Sequence, residues 1–522
     1  MQTITKPTPR STRAPLFDGH EWDYDLVRRV YDACGEIGLG EMGLDIYPNQ
    51  IEVITSEQML DAYASIGMPL MYRHWSFGKH FAREETLYRQ GKQGLAYELV
   101  INSNPCVCYI MEENSATMQT LVLAHAAFGH NHFFKNNYMF KQWTDADAVL
   151  DELAHAKRFV AHCEDRYGLD AVEQTLDAAH AIMNQGVSRY APSKPAQREK
   201  QLKAKHDARA RHAEETFNDL WRTLPRSKNE QNVPPRRYRD QMREREAYGL
   251  PEENLLLFLE MHAPKLEDWQ RELLSIVRRN AQYFYPQRQT KMMNEGCATY
   301  THYTIMNRLY DAGKLTDGAM LEFLHSHAGV VAQPKFNERH YGGLNPYALG
   351  FAMMQDIERI CTEPTAEDTD WFPDLAGSGN VMETLRDAWA DFRDESFILQ
   401  FLSPKVMRDF RLFTLLDDTE DDVMRVGAIH EERGYRRVRE ALAAQYDLSY
   451  AEPDLQVIDA NLKSNRRLVL QHRVRNGRQL DAADGARVLR HLADLWGYRV
   501  RLIEVDAETN KTLNEYDALP MP

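Results

Sequence analysis

Three histidines lie in one apolar segment, Ser115–Asn137, which reads SATMQTLVLAHAAFGHNHFFKNN. They are His125, His130 and His132, and imidazole is both the commonest metal ligand and the side chain best suited to proton transfer near neutral pH. Helix geometry limits which of them can act together. His125 and His132 share one face of a regular helix but lie roughly 10 Å apart along its axis, too far to hold one ion.

The spacing of His125 and His130 decides whether this segment can bind a metal. Residues five apart are separated by about 140° around a regular helix, so these two side chains diverge unless the helix changes. They converge if it widens into a π-helical turn or ends near Gly129. Zinc proteases use His-x-x-x-His with a glutamate after the first histidine, whereas Ala126 follows His125 here. The pair therefore permits a metal site without requiring one.

A second segment, Met293–His302, carries a carboxylate and a histidine at helical spacing. Glu295 and His302 are seven residues apart and share one helix face. If that face packs against the histidine helix, Glu295 joins His125 and His130. A His/His/Glu set with open coordination positions suits zinc, or a ferrous or manganous ion.

Strands are expected directly before the histidine helix. Tyr97–Met111 predicts two strands broken at Asn104-Pro105, because proline cannot continue a central ladder, and Ser115 is a good helix cap. A strand pair, a histidine helix and a later glutamate helix are together compatible with a zincin-like architecture. Glu98, on the first strand, and His302 are the candidates for proton transfer.

Other interpretations of the acidic residues and histidines stay open. Two pairs resemble the Glu-x-x-His pattern of di-iron helical bundles, although a chain with 78 acidic residues and 19 histidines produces such pairs readily by chance. They are Glu152 with His155 and Asp177 with His180, with Glu164 and Glu98 as further carboxylates. Each histidine of the apolar segment, taken alone, also fits a buried and hydrogen-bonded core position.

The length and composition are typical of a globular protein with several domains. The 522 residues are 43% hydrophobic and 27% charged. The net charge of −15 argues against binding to nucleic acid or to an anionic membrane surface. The six cysteines form no CxxC pair, and no window approaches the roughly 18 apolar residues of a membrane span. We therefore expect a cytoplasmic protein.

The chain divides into five predicted regions. Residues 1–19 are a basic, Pro/Thr-rich tail that we expect to be disordered, and residues 20–187 form a helical core with a short sheet and the histidine helix. Residues 188–250 are a densely charged insertion or linker, and 251–404 continue the helical core. In residues 405–522 strands and helices follow the order ββαββαβ, which predicts an α+β domain with a mainly antiparallel sheet. The fold class is thus mostly α with a C-terminal α+β domain.

Eight stretches resemble the SpoVR family, which is named for a stage V sporulation protein R. They are MYRHWSFGKHF (71–81), GLAYELVINSNPCVCYIMEENS (94–115), LAHAAFGHNHFFKNNYMF (123–140), CEDRYGLDAVE (163–173), YFYPQRQTKMMNEGCATYTHYTIMN (283–307), LEFLHSH (321–327), NPYALGFAM (345–353) and FLSPKVMRDFR (401–411). They span most of residues 20–415, which is too long and too specific for a chance match.

The resemblance implies a role in assembly of the spore cortex or, in bacteria that do not sporulate, in the stress or stationary-phase response. It also implies as partners a PrkA-type serine protein kinase and a von Willebrand-A-like protein. The polar positions that match the family's motifs are Glu98, His125, His130, Glu164, His180, Glu295 and His302. His132, Glu152 and His155 are not among them.

These observations lead to two hypotheses. In the first, a divalent metal ion held by His125, His130 and Glu295 serves the hydrolysis of a peptide or amide linked to cell-wall metabolism, with Glu98 or His302 transferring the proton. In the second, the protein is a non-catalytic scaffold or a regulatory partner in a stress-response kinase system, and the histidines are structural. Neither assigns a role to Glu164 or His180.

Overall fold

The computed structural model describes residues 14–64, 71–75, 98–189, 249–338, 341–416, 425–428, 432–448, 452–462, 464–475 and 477–521. The predicted disordered tail up to residue 13, and the predicted charged insertion between residues 190 and 248, lie outside the described residues.

Helices dominate the described chain, as predicted. In order they are α1 (Tyr24–Gly35), α2 (Ser56–Ala64), α3 (Ala116–Val122), α4 (Asn131–Asn136), α5 (Tyr138–Trp143), α6 (Val149–Tyr167), α7 (Leu169–Ala181), α8 (Leu255–His262), α9 (Asp268–Gln289), α10 (Lys291–Asp311), α11 (Asp317–Val330), α12 (Pro346–Thr362), α13 (Ala366–Trp371), α14 (Val381–Asp391), α15 (Asp394–Phe401), α16 (Pro404–Asp409), α17 (Glu432–Tyr446) and α18 (Ala482–Trp496). Two π-helical segments, Glu36–Glu41 and Leu123–His130, and a 3₁₀ turn, Met183–Gln185, complete the set.

The strands of the described residues form three sheets. They are β1 (Asn49–Ile54), β2 (Glu98–Ile101), β3 (Cys106–Met111), β4 (Thr414–Leu416), β5 (Arg425–Ala428), β6 (Leu455–Ala460), β7 (Leu468–Val474), β8 (Val500–Asp506) and β9 (Thr512–Ala518). The sheet orders are β1-β3-β2, β4-β5 and β6-β7-β8-β9.

The chain folds into two compact units, each built from two separate stretches. Unit 1 comprises residues 1–162 and 283–451, and unit 2 comprises residues 163–282 and 452–522. These divisions fall at positions other than the predicted domain boundaries. Two of them lie inside the continuous helices α6 and α9, where neither composition nor periodicity changes along the sequence.

The short sheet of unit 1 contains the two strands that the sequence predicted before the histidine helix. The strand β2 pairs antiparallel with β3, with Glu98 opposite Ile110, and β1 adds parallel to the other side of β3. The central strand β3 is buried almost throughout, as expected for a strand covered on both faces. Glu98 therefore begins a strand on the sheet's edge.

The histidine helix is one continuous element made of α3, the π-helical segment Leu123–His130 and α4. Ser115 caps it as predicted, since its hydroxyl accepts a hydrogen bond from the Met118 amide. The side chains are apolar around most of the circumference, and all residues from Ala116 to Phe134 are buried. A helix that is apolar on every side belongs in the centre of a core.

Glycines let three helices of unit 1 approach one another closely. A Cβ at Gly129 would lie 2.5 Å from Cα of Ala298 on α10, and one at Gly296 would lie 2.7 Å from the carbonyl carbon of Gly350 on α12. No side chain fits in either gap without a backbone shift. The histidine helix, α10 and α12 are thus packed backbone to backbone at the level of His130 and Glu295.

The four-stranded sheet of unit 2 carries the C-terminal helix α18. The pairings β6–β7 and β8–β9 are antiparallel and β7–β8 is parallel, so the mainly antiparallel prediction is correct. The first two predicted strands, β4 and β5, form their own two-stranded sheet within unit 1. The strand β9 extends the predicted order ββαββαβ by one element.

Across the described parts of the chain, no helix is both long and apolar enough to cross a bilayer.

Candidate metal centre

A π-helical turn brings His125 and His130 together. The i→i+5 hydrogen bonding of a π-helix places residues five apart on neighbouring positions of one face. The two rings accordingly meet edge to face with their centroids 4.6 Å apart. This is one of the two local geometries that the sequence left open, and π-bulges within α-helices are frequently found at functional sites.

Two carboxylates from different elements face the Nε2 atoms of these histidines. His125 Nε2 lies 3.7 Å from Oε1 of Glu98 and 3.8 Å from Oε2 of Glu295, and His130 Nε2 lies 3.7 Å from the same Glu295 oxygen. These separations are too long for hydrogen bonds. They are close to the roughly 3–3.5 Å that separates two ligand atoms on one zinc ion.

The four side chains lie in the interior of unit 1. The Glu98, His125, His130 and Glu295 side chains are 17, 5, 10 and 15% exposed. The Oε2 atom of Glu295 is buried and accepts no hydrogen bond from the described residues. A buried carboxylate oxygen aimed at two imidazole nitrogens without a hydrogen bond is what an ion-binding site requires, because a divalent cation takes the place of the missing donor.

Burial and mutual proximity shift the pKa of each group. Burial raises the pKa of Glu98, an effect that His125 partly offsets and Glu295 reinforces. The pKa of Glu295 stays below its ordinary value because contact with His125 and His130 outweighs burial. Burial lowers the pKa of His125, but the two carboxylates more than compensate and the pKa is raised overall. Burial and the neighbouring His125 lower the pKa of His130 to about 4, so its imidazole is neutral and available as a ligand.

Each of the two histidines has a partner on its other ring nitrogen. His130 Nδ1 lies 2.9 Å from Oδ1 of Asn294, and His125 Nδ1 lies 2.9 Å from Nδ1 of His302. Metal-binding histidines almost always donate their second N–H to such a partner, which fixes the ring and its tautomer. Both partners sit on α10, the helix that also carries Glu295.

His302, predicted as a proton-transfer residue, lies behind His125. It contacts the Nδ1 atom of His125, while Glu98 and Glu295 face Nε2. Its own Nε2 lies 3.0 Å from Nδ1 of His327 on α11. Glu98 is the candidate proton-transfer residue that reaches the cluster, and its carboxylate is also close enough to act as a ligand.

Within the described part of the chain, the remaining candidates from the sequence do not belong to this cluster. His132 accepts a hydrogen bond at Nδ1 from the Asp45 amide, 2.9 Å away, which is the buried core role that the sequence left open. Glu164, Asp177 and His180 belong to unit 2, whereas the cluster belongs to unit 1. Among the described residues, the side chains Glu152 and His155 do not join a group of three or more metal-ligating atoms.

Three residues of the site were not identified from the sequence. They are Asn294, which contacts His130, His327, which contacts His302, and Tyr347. Tyr347 is the second residue of α12, and its side chain lies close enough to the Glu295 carboxylate to lower the pKa of that group. The sequence offered one usable signal, since all three lie within stretches that resemble the SpoVR family.

Comparisons with known proteins agree with that resemblance. Residues 21–451 match the family described as SpoVR like protein, and residues 453–507 match the SpoVR-like C-terminal domain. A relative from Escherichia coli (strain K12), described as "Uncharacterized protein YcgB", is 54% identical over 504 residues. That match covers 96% of this chain and 96% of the relative. No solved structure matches the chain. The family identified from the sequence motifs is thus confirmed, and the chain belongs to the SpoVR family.

Proposed function

We propose that this protein is a metal-dependent hydrolase whose divalent ion is held by His125, His130 and Glu295. The observation that supports it most directly is the Oε2 atom of Glu295, which is buried, accepts no hydrogen bond from the described residues and lies within 3.8 Å of both Nε2 atoms. Two imidazoles and one carboxylate with open positions are the donor set of hydrolytic zinc sites, and they also suit iron or manganese.

The ion, when bound, supplies a Lewis acid that polarises a carbonyl and lowers the pKa of water. The protein itself contributes a proton acceptor beside the ion. Glu98 lies 3.7 Å from His125, and burial raises the pKa of its carboxylate toward the range in which a group can take and return a proton. Zinc proteases place this glutamate directly after the first histidine. Here Ala126 occupies that position, and the edge strand β2 supplies the carboxylate instead.

A peptide or amide is the proposed substrate class. A buried site with one general base beside the ion suits the hydrolysis of a neutral carbonyl compound. The family resemblance connects this class to cell-wall metabolism, either in the spore cortex or in a stationary-phase stress response. A zincin-like arrangement of sheet and histidine helix belongs to the same proposal.

The substitution Glu98→Gln tests the catalytic part of this proposal. It keeps the size and one oxygen of the side chain but removes the proton acceptor. Ion-loaded wild-type protein is expected to cleave members of a panel of peptides and peptidoglycan-derived amides. Glu98→Gln is expected to bind the ion yet to lose activity by about 10²–10⁴-fold. Full activity in this variant, or no cleavage of the panel by ion-loaded wild type, would overturn the hydrolase assignment.

The partners are a separate part of the proposal, supported by the family resemblance. If a PrkA-type kinase and a von Willebrand-A-like protein act with this chain, co-purification from cells that express all three should recover them together. His125→Ala should preserve that association if the metal site serves catalysis. A complex that depends on His125 would favour the scaffold hypothesis, in which the histidines are structural.

A further inference from the structure

Three imidazoles form a continuous line that leads away from the proposed ion. His125 Nδ1 meets His302 Nδ1 at 2.9 Å, and His302 Nε2 meets His327 Nδ1 at 3.0 Å. The three rings come from the π-helical segment, α10 and α11. All three residues are buried, with His302 1% and His327 6% exposed. Only His125 reaches the carboxylates, so the other two are not ligands.

The donor and acceptor in each hydrogen bond of this line follow from the position of the ring protons. Each contact needs one N–H and one lone pair. An ion on Nε2 of His125 leaves the proton of that ring on Nδ1, so His302 must accept at its Nδ1. A neutral His302 then carries its own proton on Nε2 and donates it to Nδ1 of His327. Every proton position in the line is thereby fixed by the ion at one end.

We propose that His302 and His327 are positioning residues, which hold His125 in the tautomer whose Nε2 is free to bind the ion. This inference rests on the proposed function. It replaces the proton-transfer role that the sequence predicted for His302.

The surroundings of the two rings support this role. His302 packs edge to face against Phe323, and His327 packs edge to face against Phe351, so apolar neighbours hold the planes of both rings. Burial, together with the neighbouring His125, lowers the pKa of His302, and burial lowers that of His327 to about 4.

The role of His327 follows from the cost of a buried N–H without an acceptor. If residue 327 offers no acceptor, the Nε2–H of His302 loses its partner in an apolar setting. His302 then favours the tautomer protonated at Nδ1. That proton would point at the Nδ1–H that metal-bound His125 must carry. His327 contacts none of the proposed metal ligands, yet through His302 it affects how tightly His125 binds the ion.

The test is calorimetric titration of the full chain with zinc and with manganese ions after treatment with a chelator. We expect His302→Leu to weaken binding by about 10–100-fold, the range typical of lost partners of metal ligands. His302→Asn should keep most of the affinity, because its amide oxygen can accept from His125 as Asn294 does for His130. His327→Leu should weaken binding and His327→Gln should restore it.

His325→Leu is the matched control, because His325 is an exposed histidine two residues away on the same helix. It should bind like wild type. The inference fails if His302→Leu and His327→Leu bind as tightly as wild type, or if the amide variants bind no better than the leucine variants. Wild-type protein that takes up no ion would instead overturn the proposed function itself.

Discussion

The Nδ1 atom of His130 lies 2.9 Å from the Oδ1 atom of Asn294. An amide oxygen can only accept a hydrogen bond, so this contact places the proton of His130 on Nδ1 and leaves Nε2 unprotonated toward Glu295. Asn294 and Glu295 are adjacent on α10. The same turn of α10 therefore carries one proposed ligand, Glu295, and the residue that orients a second proposed ligand, His130.

Replacing Asn294 should weaken metal binding without abolishing the fold. Asn294→Leu removes the acceptor and leaves a buried N–H on His130, so we expect the affinity for zinc to fall by about 10–100-fold in calorimetric titration. Asn307→Leu is the control, since Asn307 lies on the same helix and donates to the Tyr303 carbonyl. If the two variants bind zinc equally well, Asn294 has no orienting role.

The close packing of Gly129 on Ala298 predicts a steric effect on stability and on the site. A Cβ at position 129 would lie 2.5 Å from Cα of Ala298, so Gly129→Ala must push the histidine helix away from α10. We expect a loss of about 1–3 kcal/mol in the free energy of unfolding and weaker metal binding, because His130 and Glu295 sit on the separated helices. Chemical denaturation and metal titration measure the two effects.

Gly329→Ala is the control for that experiment. Gly329 lies in α11, and an added Cβ there has no atom within 4 Å. Alanine is the better helix former by about 0.5–1 kcal/mol, so this variant should be as stable as wild type or slightly more so. Equal stability of Gly129→Ala and Gly329→Ala would show that the tight contact between the helices is not rigid.

In unit 2, a buried carboxylate predicts a pH-dependent contribution to stability. Glu504 on β8 is fully buried and accepts hydrogen bonds from four donors. They are Nδ1 of His472 at 2.9 Å, the amide of Leu480 at 2.9 Å, Nδ2 of Asn514 at 2.8 Å and the hydroxyl of Tyr516 at 3.2 Å. Burial alone would raise the pKa of Glu504, but these donors outweigh burial and hold it below its ordinary value.

Because the pKa of Glu504 is lower in the folded than in the unfolded state, its stabilising effect is present above the unfolded pKa. The effect disappears as the pH falls through the folded pKa. Glu504→Gln should therefore lower the free energy of unfolding by about 2–3 kcal/mol near neutral pH and by less near pH 4, measured by urea denaturation. Glu515→Gln, at an exposed position on β9, should change it by less than about 1 kcal/mol at either pH. A pH-independent loss in Glu504→Gln would contradict the assignment of a charged Glu504.

The local parts of this site could be predicted from the sequence. The strand pair around Asn104-Pro105, the Ser115 cap and the requirement for a widened helix between His125 and His130 all follow from short-range geometry. Each depends on residues only a few positions apart. For the same reason the order of strands and helices after residue 405 was nearly correct.

The contacts between distant residues could not be predicted in the same way. His125 meets His302 across 177 positions, and nothing in the spacing of either segment determines which ring nitrogens face each other. His325 and His327 lie two residues apart on one helix, yet His325 is exposed and His327 extends the line of imidazoles. The division into two units also depends on packing, since the chain leaves and re-enters unit 1 within continuous helices.

Metal content measured by elemental analysis tests the central claim most directly. The wild-type protein, purified without chelator, should contain near one equivalent of zinc, iron or manganese, and His125→Ala and Glu295→Ala should each lose it. The double variant should lose no more than either single variant, because both side chains serve one ion. Metal-free wild-type protein that is fully folded, or losses that add across the two positions, would contradict the account.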